Sequence, residues 1–193
     1  LSQEHTVTTM DEVLISIILG IVEGLTEFLP VSSTGHLILL NNFLAFTGEF
    51  ANTFDIVIQL GAILAVIVYF RKRLNPFENV RSFKLRRDVI ALWKKAMVGF
   101  IPAAIVGATL GKHLQKLLFN PYVVAAALLV GGIALIWIEG GKKKAKITSV
   151  SSLSYKTAFI IGLIQCLAFI PGTSRSAATI VGGMLFGASR LVA

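Results

Sequence analysis

The stretch EGLTEFLPVSSTGH places Glu23, Glu27, Ser32, Ser33, Thr34 and His36 inside an otherwise apolar segment. Glu23 and Glu27 are four apart and share one helix face. Two carboxylates on one face repel unless a cation or a shared proton sits between them. The pair therefore reads as a divalent metal site or an acid/base pair, or else as a polar face that pairs with a cation. Ser33 and His36 are three apart, within reach on one helical turn. That spacing suits a nucleophile and its base, or a base acting on water. A second stretch, PGTSRSAAT, sets Thr173, Ser174, Arg175 and Ser176 behind Pro171. Hydroxyls after a helix-ending proline cap the next helix, and a helix N-terminus attracts phosphate. A guanidinium at that place adds a bidentate phosphate clamp. For any one hydroxyl, capping alone is the simpler role. For Arg175 the simpler role is an ion pair with a glutamate. The set is more telling than its members: two helix N-termini, one arginine and two carboxylates.

These groups must be positioned by membrane helices. The chain has 193 residues, 55% of them hydrophobic, with a mean hydropathy of +0.79. That composition predicts an all-α polytopic membrane protein. Ionisable groups inside such segments are expensive and mark functional sites by default. Spans are expected over about 53–70, 96–112 and 121–138. Two further regions, about 13–46 and 157–193, are apolar but broken at Pro30 and Pro171, with polar residues following. Each half is short for a full span, so both read as re-entrant hairpins of two half-helices.

The hairpins resemble each other. Aligning Pro30 with Pro171 sets Ser32 on Thr173 and Ser33 on Ser174, the mark of an internal repeat. Three spans between them make the second hairpin enter from the opposite face, an inverted repeat whose tips meet. The first repeat covers 10–138; the second follows a basic loop at 139–156 and is incomplete by symmetry. Nine Lys and Arg fall between Arg71 and Lys95, and five Lys between Lys142 and Lys156. Loops so charged are expected on the cytoplasmic side. The first hairpin would then dip in from outside. Asp55 and Gln59, four apart near one end of the first span, either support the tips from behind or face a neighbouring helix. His5 and His113 carry no assignment.

The net charge of +8 sits between apolar runs, where it suits anionic lipid rather than nucleic acid. With Cys166 the only cysteine, neither an internal disulfide nor a zinc set is available. No basic region followed by a cleavage site opens the chain, so no signal peptide is expected. Leu1–Thr9 is polar and reads as a tail before a start at Met10.

At GIVEGLTEFLPVSSTGHLIL, FDIVIQLGAILAV and PGTSRSAATIVGGML the sequence closely resembles the bacterial undecaprenyl-diphosphate phosphatase family, also called the bacitracin-resistance protein family. The resemblance runs from about Met10 through nearly the whole chain. It implies a hydrolase of the bacterial cytoplasmic membrane that converts undecaprenyl diphosphate to undecaprenyl phosphate and inorganic phosphate. Such an enzyme recycles the lipid carrier of peptidoglycan synthesis and confers bacitracin resistance. The resemblance sets the family's acidic motif on Glu23 and Glu27, its serine and histidine on Ser33 and His36, and its phosphate-binding arginine on Arg175, with Ser174, Ser176 and Thr179 around it. It also implies support by a divalent cation, Mg2+ or Ca2+, and further spans beyond this sequence. Expected partners are the prenyl substrate, held in an apolar groove between spans, and membrane lipid. A homo-oligomer is compatible with the sequence. The alternative reading is a lipid or ion transporter or flippase, which uses the same inverted repeats but releases no phosphate.

Overall fold

The computed structural model describes residues 9–77, 83–118, 120–141 and 145–193. Among them the structure is all-helical apart from an isolated bridge between Ile147 and Ala188. The helices are α1 (Thr9–Thr26), α2 (Ser33–Phe43), α3 (Glu49–Leu74), α4 (Phe83–Leu118), α5 (Pro121–Gly140), α6 (Tyr155–Gln165) and α7 (Arg175–Leu185). A 3-10 turn, Cys166–Phe169, extends α6. The tail expected over residues 1–9 lies outside the described residues except for Thr9.

Among the described residues three helices are long and apolar enough to cross a membrane: α3, the Arg86–Leu114 part of α4, and α5. The apolar residues of α3 and α5 are almost wholly uncovered by protein, as lipid-facing surfaces are. At 1.5 Å per residue, α2 and α7 reach only about 16 Å each, half of a ~30 Å hydrocarbon core. The chain is thus an all-α polytopic membrane protein in which two pairs of shorter helices, α1–α2 and α6–α7, pack as hairpins.

Helix limits differ from the apolar runs. The span expected at 53–70 begins at Glu49 and continues through Arg71–Leu74. The one expected at 96–112 is the middle of a 36-residue helix that contains Pro102. Lys and Arg are good helix formers, and cations favour a helix C-terminus, so α3 runs past its hydrophobic stretch. The segment read as one basic loop between Arg71 and Lys95 is therefore mostly helix. Lys95 is buried there and donates to the carbonyls of Val150 and Ser151, each at 2.9 Å. The second hairpin is shorter than 157–193: α7 ends at Leu185, and the chain then turns back against the 146–147 backbone, where Lys146 and Ile147 both donate to the Gly187 carbonyl at 2.8 Å. Arg190 pairs with Glu139 at 2.8 Å on the surface, where such a pair contributes little.

Small residues set how closely the helices approach, as expected where lipid removes the hydrophobic drive between them. A Cβ on Gly162 of α6 would lie 2.0 Å from the Gly99 carbonyl oxygen of α4. Helix α5 supports both hairpins. A Cβ on Gly172 would meet the Val124 carbonyl at 2.6 Å, and one on Gly35 would meet Leu128 Cδ2 at 3.1 Å. Val124 and Leu128 are one turn apart on one face of α5. The first hairpin is held on α3 by a core of Leu19, Leu37, Phe46 and Ala51, with Phe54 and Ile58 against it.

Candidate active site

Each hairpin tip ends in a capped helix. After α1 the chain turns through Glu27–Val31, and Ser32 caps α2 by accepting from the Gly35 N–H at 3.2 Å. Ser32 has φ 64°, the left-handed region, which is uncommon for a residue with a side chain. In the second tip Gly172, at φ 91°, makes the turn, and Ser174 caps α7 by accepting from the Ala177 N–H at 3.1 Å. Capping equates Ser32 with Ser174 and Ser33 with Arg175. This is one residue off the proline-anchored alignment, because the second tip has one more residue between proline and cap.

The tips meet. Ser174 donates to Ser176 Oγ at 2.9 Å, and Ser176 donates onward to the Leu29 carbonyl of the first tip at 3.4 Å. Between them lies a polar pocket of about 50 Å³ lined by Glu27, Ser32–Thr34 and Thr173–Ser176, with Leu29 and Ala168. The N-termini of α2 and α7 both border it. Room on this scale suits a few waters or one small oxyanion.

Within this pocket Ser33 donates its hydroxyl hydrogen to Glu27 Oε2. His36 is turned elsewhere: its Nδ1 lies 2.8 Å from the Ser32 carbonyl. A carbonyl only accepts, so Nδ1 carries a proton there. Helical spacing suggested a Ser33–His36 pair; the geometry joins Ser33 to Glu27. Arg175 is exposed at the pocket edge and makes no ion pair with either glutamate. Thr179, like Glu23 and His36, does not line the pocket. Its hydroxyl bonds the carbonyls of Arg175 and Ser176, at 3.2 and 3.0 Å, and its side chain lines a different cavity, between α4 and α6.

Glu23 lies on α1 one turn before Glu27, 1% exposed, with Ser33 and Glu27 beside its carboxylate but no well-formed hydrogen bond to either. Asp55 Oδ2 accepts from Asn41 Nδ2 at 2.7 Å, and the Oδ1 atoms of both residues are likewise buried without a donor. Asn41 was not singled out from sequence; an amide within the apolar run LILLNNFLAF was the available signal. Gln59 reaches Thr34 at 3.5 Å, so Asp55 and Gln59 both face α2. Among the described residues, no three or more His, Cys, Asp or Glu side chains gather closely enough to hold a metal. Beside Arg175 and Ala168 an apolar groove of about 440 Å³ runs along α4 past Ala104, Gly107 and Phe169. Arg175 and Ala168 line both the groove and the polar pocket.

Residues 16–193 match the family described as bacitracin resistance protein BacA. The chain is 48% identical over 184 residues to undecaprenyl-diphosphatase 1 of Clostridioides difficile, covering 94% of this chain and 67% of that protein. It is 51% identical over 186 residues to the undecaprenyl-diphosphatase of Streptococcus thermophilus, covering 94% and 65%. It is 52% identical over 179 residues to that of Sphingopyxis alaskensis, covering 92% and 66%. The chain spans about two thirds of the length of these relatives.

Proposed function

The chain belongs to the bacitracin resistance protein family, and on that premise we propose that it is the phosphatase part of an enzyme that hydrolyses undecaprenyl diphosphate to undecaprenyl phosphate and inorganic phosphate. One observation carries the reading: a serine hydrogen-bonded to a carboxylate faces an unpaired arginine across a pocket bordered by two helix N-termini. The terminal phosphate occupies that pocket, held by Arg175 and the N–H groups and hydroxyls of Ser32, Thr34 and Thr173–Ser176. Ser33 Oγ attacks the terminal phosphorus while Glu27 accepts its proton. The bond from phosphorus to the bridging oxygen breaks, and undecaprenyl phosphate leaves. Glu27 passes that proton to the departing undecaprenyl phosphate; water then attacks the phosphoserine as Glu27 takes its proton, the phosphorus–Oγ bond breaks, and Glu27 returns the proton to Ser33 Oγ as inorganic phosphate leaves. A bound divalent cation such as Mg2+ or Ca2+ supplies neutralisation of the phosphate charge.

The apolar groove that shares Arg175 with the pocket suits the prenyl tail. This accounts for chemistry in a membrane protein, since the scissile group is tethered to lipid. The protein resides in the bacterial cytoplasmic membrane, and loop charge supports access to the site from the outer face. Phosphate release from a prenyl diphosphate by the protein in detergent tests the proposal. Release that disappears in Arg175→Ala and Glu27→Gln supports it. A folded protein that binds the lipid and releases no phosphate favours the transporter reading.

A further inference from the structure

Of the side chains that line the apolar groove along α4, only those of Arg175 and Gln165 are polar. Gln165 is the last residue of α6 and is half-buried. Among the described residues its amide has no hydrogen-bond partner. An unmatched amide is unfavourable at a depth where water is scarce. Its place is set by the turn that follows. Cys166–Phe169 is a 3-10 turn, and Gln165 enters it at φ −57° and ψ −26°. Residues three apart eclipse in such a turn, so Gln165 lies in line with Ala168, about 6 Å along the axis. Ala168 and Arg175 line both the polar pocket and the groove. Gln165 therefore stands one turn into the groove from the threshold between them.

We propose that Gln165 binds the phosphate that stays on the prenyl chain, so that the mouth of the groove is a second-phosphate subsite selecting diphosphates over monophosphates. A diphosphate with its terminal phosphate in the polar pocket must set its inner phosphate at this threshold, before the chain becomes hydrocarbon. Charge at the edge of an apolar groove needs donors. Arg175 reaches both compartments, and Gln165 Nε2 offers two further N–H groups. A neutral amide binds an anion less tightly than a second cation would, which suits a phosphate that must depart with the lipid. Gln165 also borders the cavity between α4 and α6. The other polar side chains there are engaged with carbonyls: Thr179 with those of Arg175 and Ser176, Lys95 with those of Val150 and Ser151. A phosphate in the groove is the partner that the amide lacks.

The inference rests on the phosphatase reading for the identity of its ligand, yet its test uses a ligand that cannot be hydrolysed, so the two fail separately. Farnesyl methylenediphosphonate and farnesyl phosphate are each titrated into the whole chain in detergent and followed by calorimetry. The wild type is expected to prefer the diphosphonate. Gln165→Leu keeps the bulk and loses the donors. It is expected to weaken the diphosphonate about tenfold and farnesyl phosphate by less than about threefold, since a single phosphate is drawn to the polar pocket. Gln165→Lys is expected to tighten the diphosphonate, a gain that misfolding cannot imitate. A preference unchanged in Gln165→Leu would overturn the subsite. Equal weakening of both ligands, with a lower thermal midpoint, would overturn it in favour of packing in the α4–α6 cavity. A folded wild type that binds neither ligand would overturn it too. A Gln165-dependent preference in a protein that releases no phosphate from a prenyl diphosphate would support the subsite and remove the phosphatase reading.

Discussion

Ser33 donates its hydroxyl to Glu27, six residues earlier, while His36, one turn further along its own helix, bonds the Ser32 carbonyl. The two roles therefore come apart on substitution. Ser33→Ala and Glu27→Gln are each expected to lower kcat by about 10² to 10⁴. Because the two act as a unit, the double variant should fall little further than either single one. Rapid-quench single turnovers would show phosphate on Ser33 in the wild type. Equal kcat losses that multiply in the double variant would contradict the pairing.

Among the described residues Arg175 has no side-chain hydrogen bond or ion pair to replace, so its removal tests anion binding with little effect on the fold. Arg175→Ala is expected to reduce kcat/KM by roughly 10- to 100-fold, the worth of a charged hydrogen bond. Arg175→Lys should recover little of it, since an ammonium cannot form the paired fork. The thermal midpoint in detergent should stay within a degree or two of wild type. Full recovery by lysine would show that a point charge suffices.

Gly162 and Gly99 bring α6 and α4 into backbone contact. Gly162→Ala forces the helices apart and is expected to destabilise by about 1–3 kcal/mol. Gly131→Ala on α5 meets nothing within 4 Å, and should be neutral or stabilising by up to about 1 kcal/mol. Thermal unfolding of the two variants side by side checks the contrast.

Ser32 carries a cap and a left-handed backbone at the same position. Ser32→Gly loses the capping oxygen but relieves the backbone, whereas Ser32→Ala loses the cap and keeps the strain. Glycine is expected to leave the protein about 1–2 kcal/mol more stable than alanine does. Alanine equal to glycine in a melt would refute that conformation.

Lys95 is buried in a helix that its charge alone would place at a surface. Lys95→Met keeps the length and strands the Val150 and Ser151 carbonyls. A loss of about 2–4 kcal/mol is expected, together with faster protease cleavage near Ser151. Unchanged cleavage would mean that water replaces the ammonium freely.

The sequence made the reactive residues visible because a carboxylate, imidazole or guanidinium stands out in an apolar run. Their partners were less visible. Helical spacing brings Glu23 beside Glu27, as the structure has them, but it also ties Ser33 to His36, whereas Ser33 bonds Glu27 across an intervening turn, and the spacing rule holds only within one helix. Asn41 and Asp55 are fourteen apart on different helices, so no local pattern links them. The capping offset between the tips also escaped, since proline marks where a helix cannot continue and not where the next begins. Helix lengths were underread for α3 and α4 because charged residues extend a helix beyond the lipid as readily as apolar ones fill it.

Helix α5 touches the second tip at Val124 and the first through Leu128, one turn away on one face. The width of the polar pocket is thus a property of a third element that contributes nothing to its lining. A shift of α5 along its axis carries both tips together and leaves the gap between them intact. A rotation, or a side chain enlarged at either position, pushes on the jaws unequally. A compound bound on the lipid side of α5 would therefore act on the pocket from a distance, without competing with substrate.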